Sequence, residues 1–155
     1  GTIASNLRLG NPDADVSLMD KVTKAASIHA FIEDSIDGYD TVVQQGGVNF
    51  SGGQRQRLCI ARALAIDPKV LILDDSTSAL DAATEGRVRE AVNEEFKGLT
   101  LISVAQKISS VANMDRIIVL NEGVIVGYDT HDNLLESSSV YQEIYQSQMR
   151  NGVSA

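Results

Sequence analysis

The chain has 155 residues, enough for one domain or a large part of one, and its 43% hydrophobic and 22% charged content is that of a soluble globular protein, not a disordered one. Thirteen Lys and Arg against twenty-one Asp and Glu leave a net charge of −8, which argues against nonspecific binding to nucleic acid or to an anionic membrane surface. The longest apolar runs, such as Val70–Leu73, are strand-sized and fall far short of the ~20 residues of a membrane span. Cys59 is the single cysteine, so no intrachain disulfide is possible, and a reducing compartment fits. No signal peptide or lipidation signal is expected from these residues, and Gly1 stands where an initiator Met belongs. The expectation is an acidic, intracellular α/β piece of a longer protein.

Residues 1–67 carry helical patterns and no convincing strand. Asn11, Pro12, Asp13 and Asp15 form a loop leading into one helix from Val16 to Ile32, where Leu18, Val22, Ala25, Ala26 and His29 recur at helical spacing. Gly38–Gly47 reads as an irregular loop, and a second helix opens at Ser51 and runs to about Ile66, where Asp67 and Pro68 stop it. From residue 69 strand-type runs alternate with helices. Val70–Leu73 and Leu99–Val104 read as buried parallel strands flanking a helix over Ala82–Phe96, with Val88, Ala91 and Val92 inward. Arg116–Leu120 and Val124–Tyr128 read as a hairpin around Asn121-Glu122-Gly123, Thr130–Asp132 as the cap of a short helix, and Val140–Met149 as a terminal helix.

Two segments carry chemistry. In Asn49–Arg57 a serine and two glycines at a helix start offer a hydroxyl, exposed backbone N–H groups and the positive end of the helix dipole, with room for a phosphate to approach. An ordinary N-cap on Ser51 explains the same residues. In Val70–Asp75 four apolar residues deliver two carboxylates to the carboxyl end of a strand, where open α/β sheets bind ligands and where an acid holds Mg²⁺ and its neighbour faces the attacking water. A solvent-facing strand end explains those too.

In this order and about twenty residues apart, the segments gain specificity. Ser51-Gly52-Gly53-Gln54, then Asp74, then Ser78-Ala79-Leu80-Asp81 resemble the signature loop, Walker B strand and D-loop of the ATP-binding-cassette (ABC) ATPase family. The likeness extends over nearly the whole chain. Gly1-Thr2-Ile3 and Asn6 resemble the segment after the Q-loop of exporter cassettes. Tyr39-Asp40-Thr41 and Gln44–Gly47 resemble the loop that senses transmembrane coupling helices, and Arg116–Leu120, Gly123 and Thr130-His131 resemble the closing strands. The resemblance implies an α/β P-loop NTPase fragment: a helical signature subdomain over 1–67, and over 68–155 the carboxyl-terminal part of a RecA-like core with a partial, mainly parallel sheet. It implies ATP and Mg²⁺ as ligands and a head-to-tail dimer with a second cassette. Ser51, Gly52, Gly53 and Gln54 would grip the partner's γ-phosphate, Asp74 would serve Mg²⁺ at this chain's own site, and Asp81 would cross the interface. It further implies a transmembrane domain on the same polypeptide, at the cytoplasmic face of a membrane.

Three departures from the family pattern matter. No GxxxxGK[ST] occurs, and none of Lys21, Lys24, Lys69, Lys97 and Lys107 follows a glycine, so the phosphate cradle and its strand are expected upstream. Position 75 is Asp where catalytic cassettes carry Glu, withdrawing the carboxylate by one methylene; misplacing a base that far removes roughly 10²- to 10⁴-fold of its effect. Asp75 as an adequate base with a repositioned water is the alternative. Gln106 stands where the family has its switch histidine, and an amide cannot become cationic. With Asp75 and Gln106 in the catalytic positions and an intact signature loop, the sequence resembles one subunit of a heterodimeric multidrug-type exporter with a degenerate site. Two other readings stay open: an ATP clamp without turnover, and a soluble DNA-repair type ABC ATPase, which the absence of heptads and the charge disfavour. In the family the P-loop strand lies between the strand ending near Val104 and that of Arg116–Leu120. Without it the two strand pairs are expected to close onto each other, or the chain to self-associate.

Overall fold

Local capping chemistry starts most of the helices. A computed structural model describes residues 1–152. Thr2 Oγ1 accepts from the Ser5 N–H at 3.1 Å and Ser5 Oγ accepts from the Thr2 N–H at 2.7 Å, a reciprocal cap that opens α1 (Ile3–Arg8), which the sequence reading left unassigned. Asp15 caps α2 (Val16–Ala25) through the Leu18 N–H at 2.8 Å. The single helix expected over 16–32 is instead two. Ser27 takes φ 55°, its N–H bonds Lys24 O at 2.9 Å, and the Ile28 N–H reaches back to Thr23 O at 2.9 Å. That is a Schellman termination with serine in the place usually held by glycine, after which α3 (His29–Glu33) begins. The loop of 38–47 carries two short 3₁₀ turns, Gly38–Asp40 and Gln45–Gly47. Helix α4 (Gly52–Leu64) follows its Ser51 cap, and Asp67, at φ 54°, turns the chain before Pro68.

Strand β1 (Val70–Asp74), helix α5 (Ala82–Glu95) and strand β2 (Thr100–Val104) form a parallel crossover unit with Val70 opposite Thr100 and Asp74 opposite Val104. Both strands were expected to be buried. Only one face is: Leu71 and Leu73 point into the core, whereas Val70, Ile72, Ile102 and Val104 are 47–62% exposed. Burial on both faces needs layers on both sides, and among the described residues the sheet holds two strands, covered on one side. Ile3, Leu7, Met19, Val22, Ile32, Ile60, Leu64, Val88 and Val92 fill one core with Leu71 and Leu73. Val88 and Val92 are inward as expected, and Ala91 is half-buried at the edge.

The chain divides into two compact units, Gly1–Val104 and the residues from Ala105 onward. The first joins the helices of 1–67 to β1, α5 and β2 in that one core, so the compact units part well past residue 67. In the second unit α6 (Ile108–Val111) precedes the hairpin β3 (Ile117–Asn121) and β4 (Val124–Asp129). Glu122 and Gly123, at φ 48° and 80°, make its two-residue turn. The ladder has a bulge at Val119/Leu120, and Gly127 lies so close to Leu134 that an added Cβ would meet Leu134 Cδ2 at 3.0 Å. Thr130 caps α7 (His131–Ser137), and α8 (Ser139–Gly152) follows. Ile108, Ile117, Val119, Leu134 and Tyr141 are the buried core of this unit.

Candidate functional site

The amino terminus of α4 is built by a capping box. Ser51 Oγ accepts from the Gln54 N–H at 3.2 Å, and Gln54 Oε1 accepts from the Ser51 N–H at 2.8 Å. The cap therefore forms as bare physics requires, and it leaves Gly52 and Gly53 as the first two helical residues, whose N–H groups have no carbonyl behind them in the helix. An added Cβ on Gly53 would lie 3.1 Å from Ala79 O and 3.4 Å from Leu80 Cδ2; one on Gly52 would lie 3.4 Å from Ala79 Cβ. The two glycines are thus the surface on which the loop after β1 rests.

That loop begins at the strand end. Asp74 is the last residue of β1 and is exposed, and its carbonyl accepts from Ser76 Oγ at 3.2 Å. Asp75 sits at φ 49°, a left-handed conformation that Asp tolerates better than most side chains. Its carbonyl accepts from Ser78 Oγ at 3.0 Å and from the Ser78 N–H at 3.3 Å. Asp81 is the N-cap of α5: Oδ1 accepts from the Thr84 N–H at 2.9 Å and Oδ2 from the Thr84 hydroxyl at 2.7 Å. The Thr84 hydroxyl first, then the Thr84 N–H, hold the Asp81 carboxyl below its ordinary 3.8. Sequence reasoning passed over Gln56. Its side-chain amide spans from α4 to Asp75, Ser78 and Ala79, and its only sequence signal is its spacing of three and four from the two glycines, which puts all three on one helix face.

The first unit thus brings together Ser51–Gln54, Asp74, Asp75 and Asp81. Gln106 belongs to the second unit, where its carbonyl accepts from Gln148 Nε2 at 2.8 Å while Gln148 Oε1 accepts from the Ile108 N–H at 2.9 Å. His131 follows its cap Thr130, and its Nδ1 is 2.8 Å from the Tyr141 hydroxyl. Arg57 Nε is buried with no hydrogen-bond partner among the described residues.

A second region gathers around the loop of 38–47. The Tyr39 hydroxyl donates to Asp20 Oδ1 at 2.8 Å and lies 3.0 Å from the fully buried Thr23 hydroxyl, itself 3.1 Å from His29 Nδ1. Burial pushes the Tyr39 hydroxyl up from 10.0 to about 12; the Thr23 hydrogen bond opposes the rise and the Asp20 carboxylate adds to it. Beside this loop opens a cleft of about 470 Å³ bounded by Gln44, Gln45, Phe50, Arg55 and Arg62.

A parallel strand–helix–strand unit with two acids at its strand end, beside a glycine-rich helix start, is the arrangement in which open α/β folds bind ligands. Residues 3–78 match the family model described as ABC transporter. The chain is 44% identical over 149 residues to the ABC transporter ATP-binding protein YknU of Bacillus subtilis, covering 96% of this chain and 26% of that protein. It is 44% identical over 147 residues to P-glycoprotein 14 of Caenorhabditis elegans, covering 95% and 11%. With the ATP-dependent lipid A-core flippase of Chromohalobacter salexigens it shares 42% over 149 residues, covering 96% and 26%. A solved bacterial Atm1-family ABC exporter with ATP bound superposes with a TM-score of 0.90 at 35% identity, over 95% of this chain and 26% of that one. The chain belongs to the ABC transporter family, as an ATP-binding domain sequence of the exporter type. It spans about a quarter or less of the length of these relatives.

Proposed function

We propose that this chain is part of the ATP-driven engine of a membrane exporter, in which ATP binding and hydrolysis move a substrate across the bilayer. The observation that supports this most is the pairing of the α4 amino terminus with the loop after β1, in a backbone that follows an exporter solved with ATP bound. Each residue fits its assigned group. The free N–H groups of Gly52 and Gly53, with the Ser51 hydroxyl, suit a terminal phosphate presented by a second cassette. Asp74, exposed at the strand end, suits one ligand position of Mg²⁺. The Asp81 carboxylate is engaged as a cap, so in a dimer the segment Ser78–Asp81 would meet the partner with Asp81 held in place by Thr84.

Asp75 in the base position and Gln106 in the switch position make this chain's own site the weaker of two. Asp75 has the shorter reach, and Gln106 offers a neutral amide where transferred charge calls for a cation. The same two residues favour a second reading, a clamp that binds ATP and never turns over. The loop of 38–47 and its cleft suit contact with a transmembrane domain, which would put the chain at the cytoplasmic face of its membrane. Single-turnover hydrolysis by the full-length protein with its partner cassette, each site disabled in turn, decides between engine and clamp. ATP hydrolysis and ATP-dependent transport in vesicles support the proposal; neither, with nucleotide bound, would leave the clamp.

A further inference from the structure

We propose that Gln56 is a positioning residue: its side-chain amide clasps the loop that carries Asp75 onto helix α4, so that the state of the helix start, which serves one nucleotide site, is passed to the base position of the other. The inference rests on the assignment of these two segments to two sites.

Gln56 Oε1 accepts from the Ala79 N–H at 3.0 Å, while Nε2 donates to Ser78 Oγ at 3.0 Å and, at 3.4 Å, to the Asp75 carbonyl. Ser78 Oγ donates in turn to that same carbonyl at 3.0 Å. One planar amide thus meets a donor at one end and two acceptors at the other. Only a side chain carrying both functions at this length does so: a carboxylate would face the Asp75 carbonyl without a proton, and an aliphatic chain would satisfy neither end. The clasp falls on the helix face that also carries Gly52 and Gly53, where the loop lies so near that an added Cβ would meet Ala79 at 3.1–3.4 Å. Asp75 is held at φ 49°, a backbone state that needs outside support. The bonds from Ser78 and Gln56 to its carbonyl supply that support, and they fix the direction in which its side chain leaves the strand. The first turn of α4 and Asp75 therefore move as one body. A phosphate pulling on the amides of Gly52 and Gly53 pulls on Asp75 as well.

Two variants test this, Gln56→Leu and Gln56→Glu. In the 155-residue chain, hydrogen exchange of the Ala79 amide should quicken by about 10-fold in Gln56→Leu, the loss of one hydrogen bond, and stay protected in Gln56→Glu, which keeps the acceptor. The Thr84 amide, bonded to Asp81 and outside the clasp, should not change in either. In the full-length protein both variants should lower kcat at this chain's own site by about 10-fold with KM for ATP within about twofold, because position and not binding is lost. Equal Ala79 exchange in wild type and Gln56→Leu would remove the clasp. A freed Ala79 amide with unchanged kcat would remove the positioning role and leave the exporter assignment standing. A full-length protein with no hydrolysis would remove the engine reading and leave the clamp, while the Ala79 exchange would still decide the clasp.

Discussion

Gln54 and Ser51 satisfy each other's backbone N–H across 2.8 and 3.2 Å, so the residue proposed to touch a phosphate is also the one that starts its helix. Ser51→Ala should therefore cost about 1 kcal/mol of chain stability and also slow the opposite nucleotide site. Gly53→Asp separates the two effects. It keeps the cap, crowds Ala79 O at 3.1 Å and fills the phosphate's approach. Opposite-site turnover should collapse in Gly53→Asp and fall less in Ser51→Ala; denaturant unfolding beside single-turnover kinetics measures both. Normal turnover in Gly53→Asp contradicts the cross-subunit assignment.

Asp75→Glu with Gln106→His should raise turnover at this chain's own site, and by more than the two single variants predict together, since both act on one transition state. A four-variant kinetic cycle gives the coupling. If the double variant is as slow as the wild type, the degenerate-site proposal fails.

The 155-residue chain alone should bind ATP only in the millimolar range and hydrolyse none measurably. With no GxxxxGK[ST], most of the family's phosphate contacts are absent from its sequence, and a helix start offers only a few N–H groups. Calorimetry showing micromolar binding would overturn this.

Tyr39 sets an alkaline limit. Its hydroxyl titrates at about 12 in the folded chain and near 10 when unfolded, so the neutral phenol favours the fold. The stabilisation is complete below pH about 10 and is lost as pH rises towards about 12, because the unfolded state gives up its proton first. Burial raises the Tyr141 hydroxyl as well, so absorbance titration should show late ionisation from both tyrosines, and Tyr39→Phe should remove the step near 12 and flatten the fall in stability above pH about 10. A step near 12 that is undiminished in Tyr39→Phe assigns the shift elsewhere.

Much of this was legible in the sequence because local chemistry decided it. The Ser51 cap, the Asp67-Pro68 stop and the Glu122-Gly123 turn each follow from one or two residues. The break at Ser27 was not, since a Schellman turn is usually marked by glycine and here the left-handed residue is a serine. Nor was the exposure of Val70 and Ile72: apolar runs report what a strand is made to bury, not what covers it. At the proposed site, the roles of Ser51, Gly52, Gly53, Gln54, Asp74 and Asp75 came from the family resemblance, since an ordinary cap and strand end explain the same residue types. Gln56 stayed hidden because its meaning lies in loop atoms more than twenty positions away. Asp81 read as an interface residue, and the structure adds that its carboxylate is held locally by Thr84.

The half-covered β1–β2 ladder carries a consequence for how stability is to be measured. Val70, Ile72, Ile102 and Val104 form a wet apolar strip beside strand edges without partners among the described residues. Whatever covers that strip binds only the folded form, so mass action ties the melting temperature to how much of it is present. If a second copy of the chain is the cover, dilution lowers the melting temperature, and a concentration 100 times the dissociation constant adds about 2.7 kcal/mol. One melting curve at one concentration would then describe the solution and not the molecule. A melting temperature constant across a hundredfold dilution would mean that the strip stays bare.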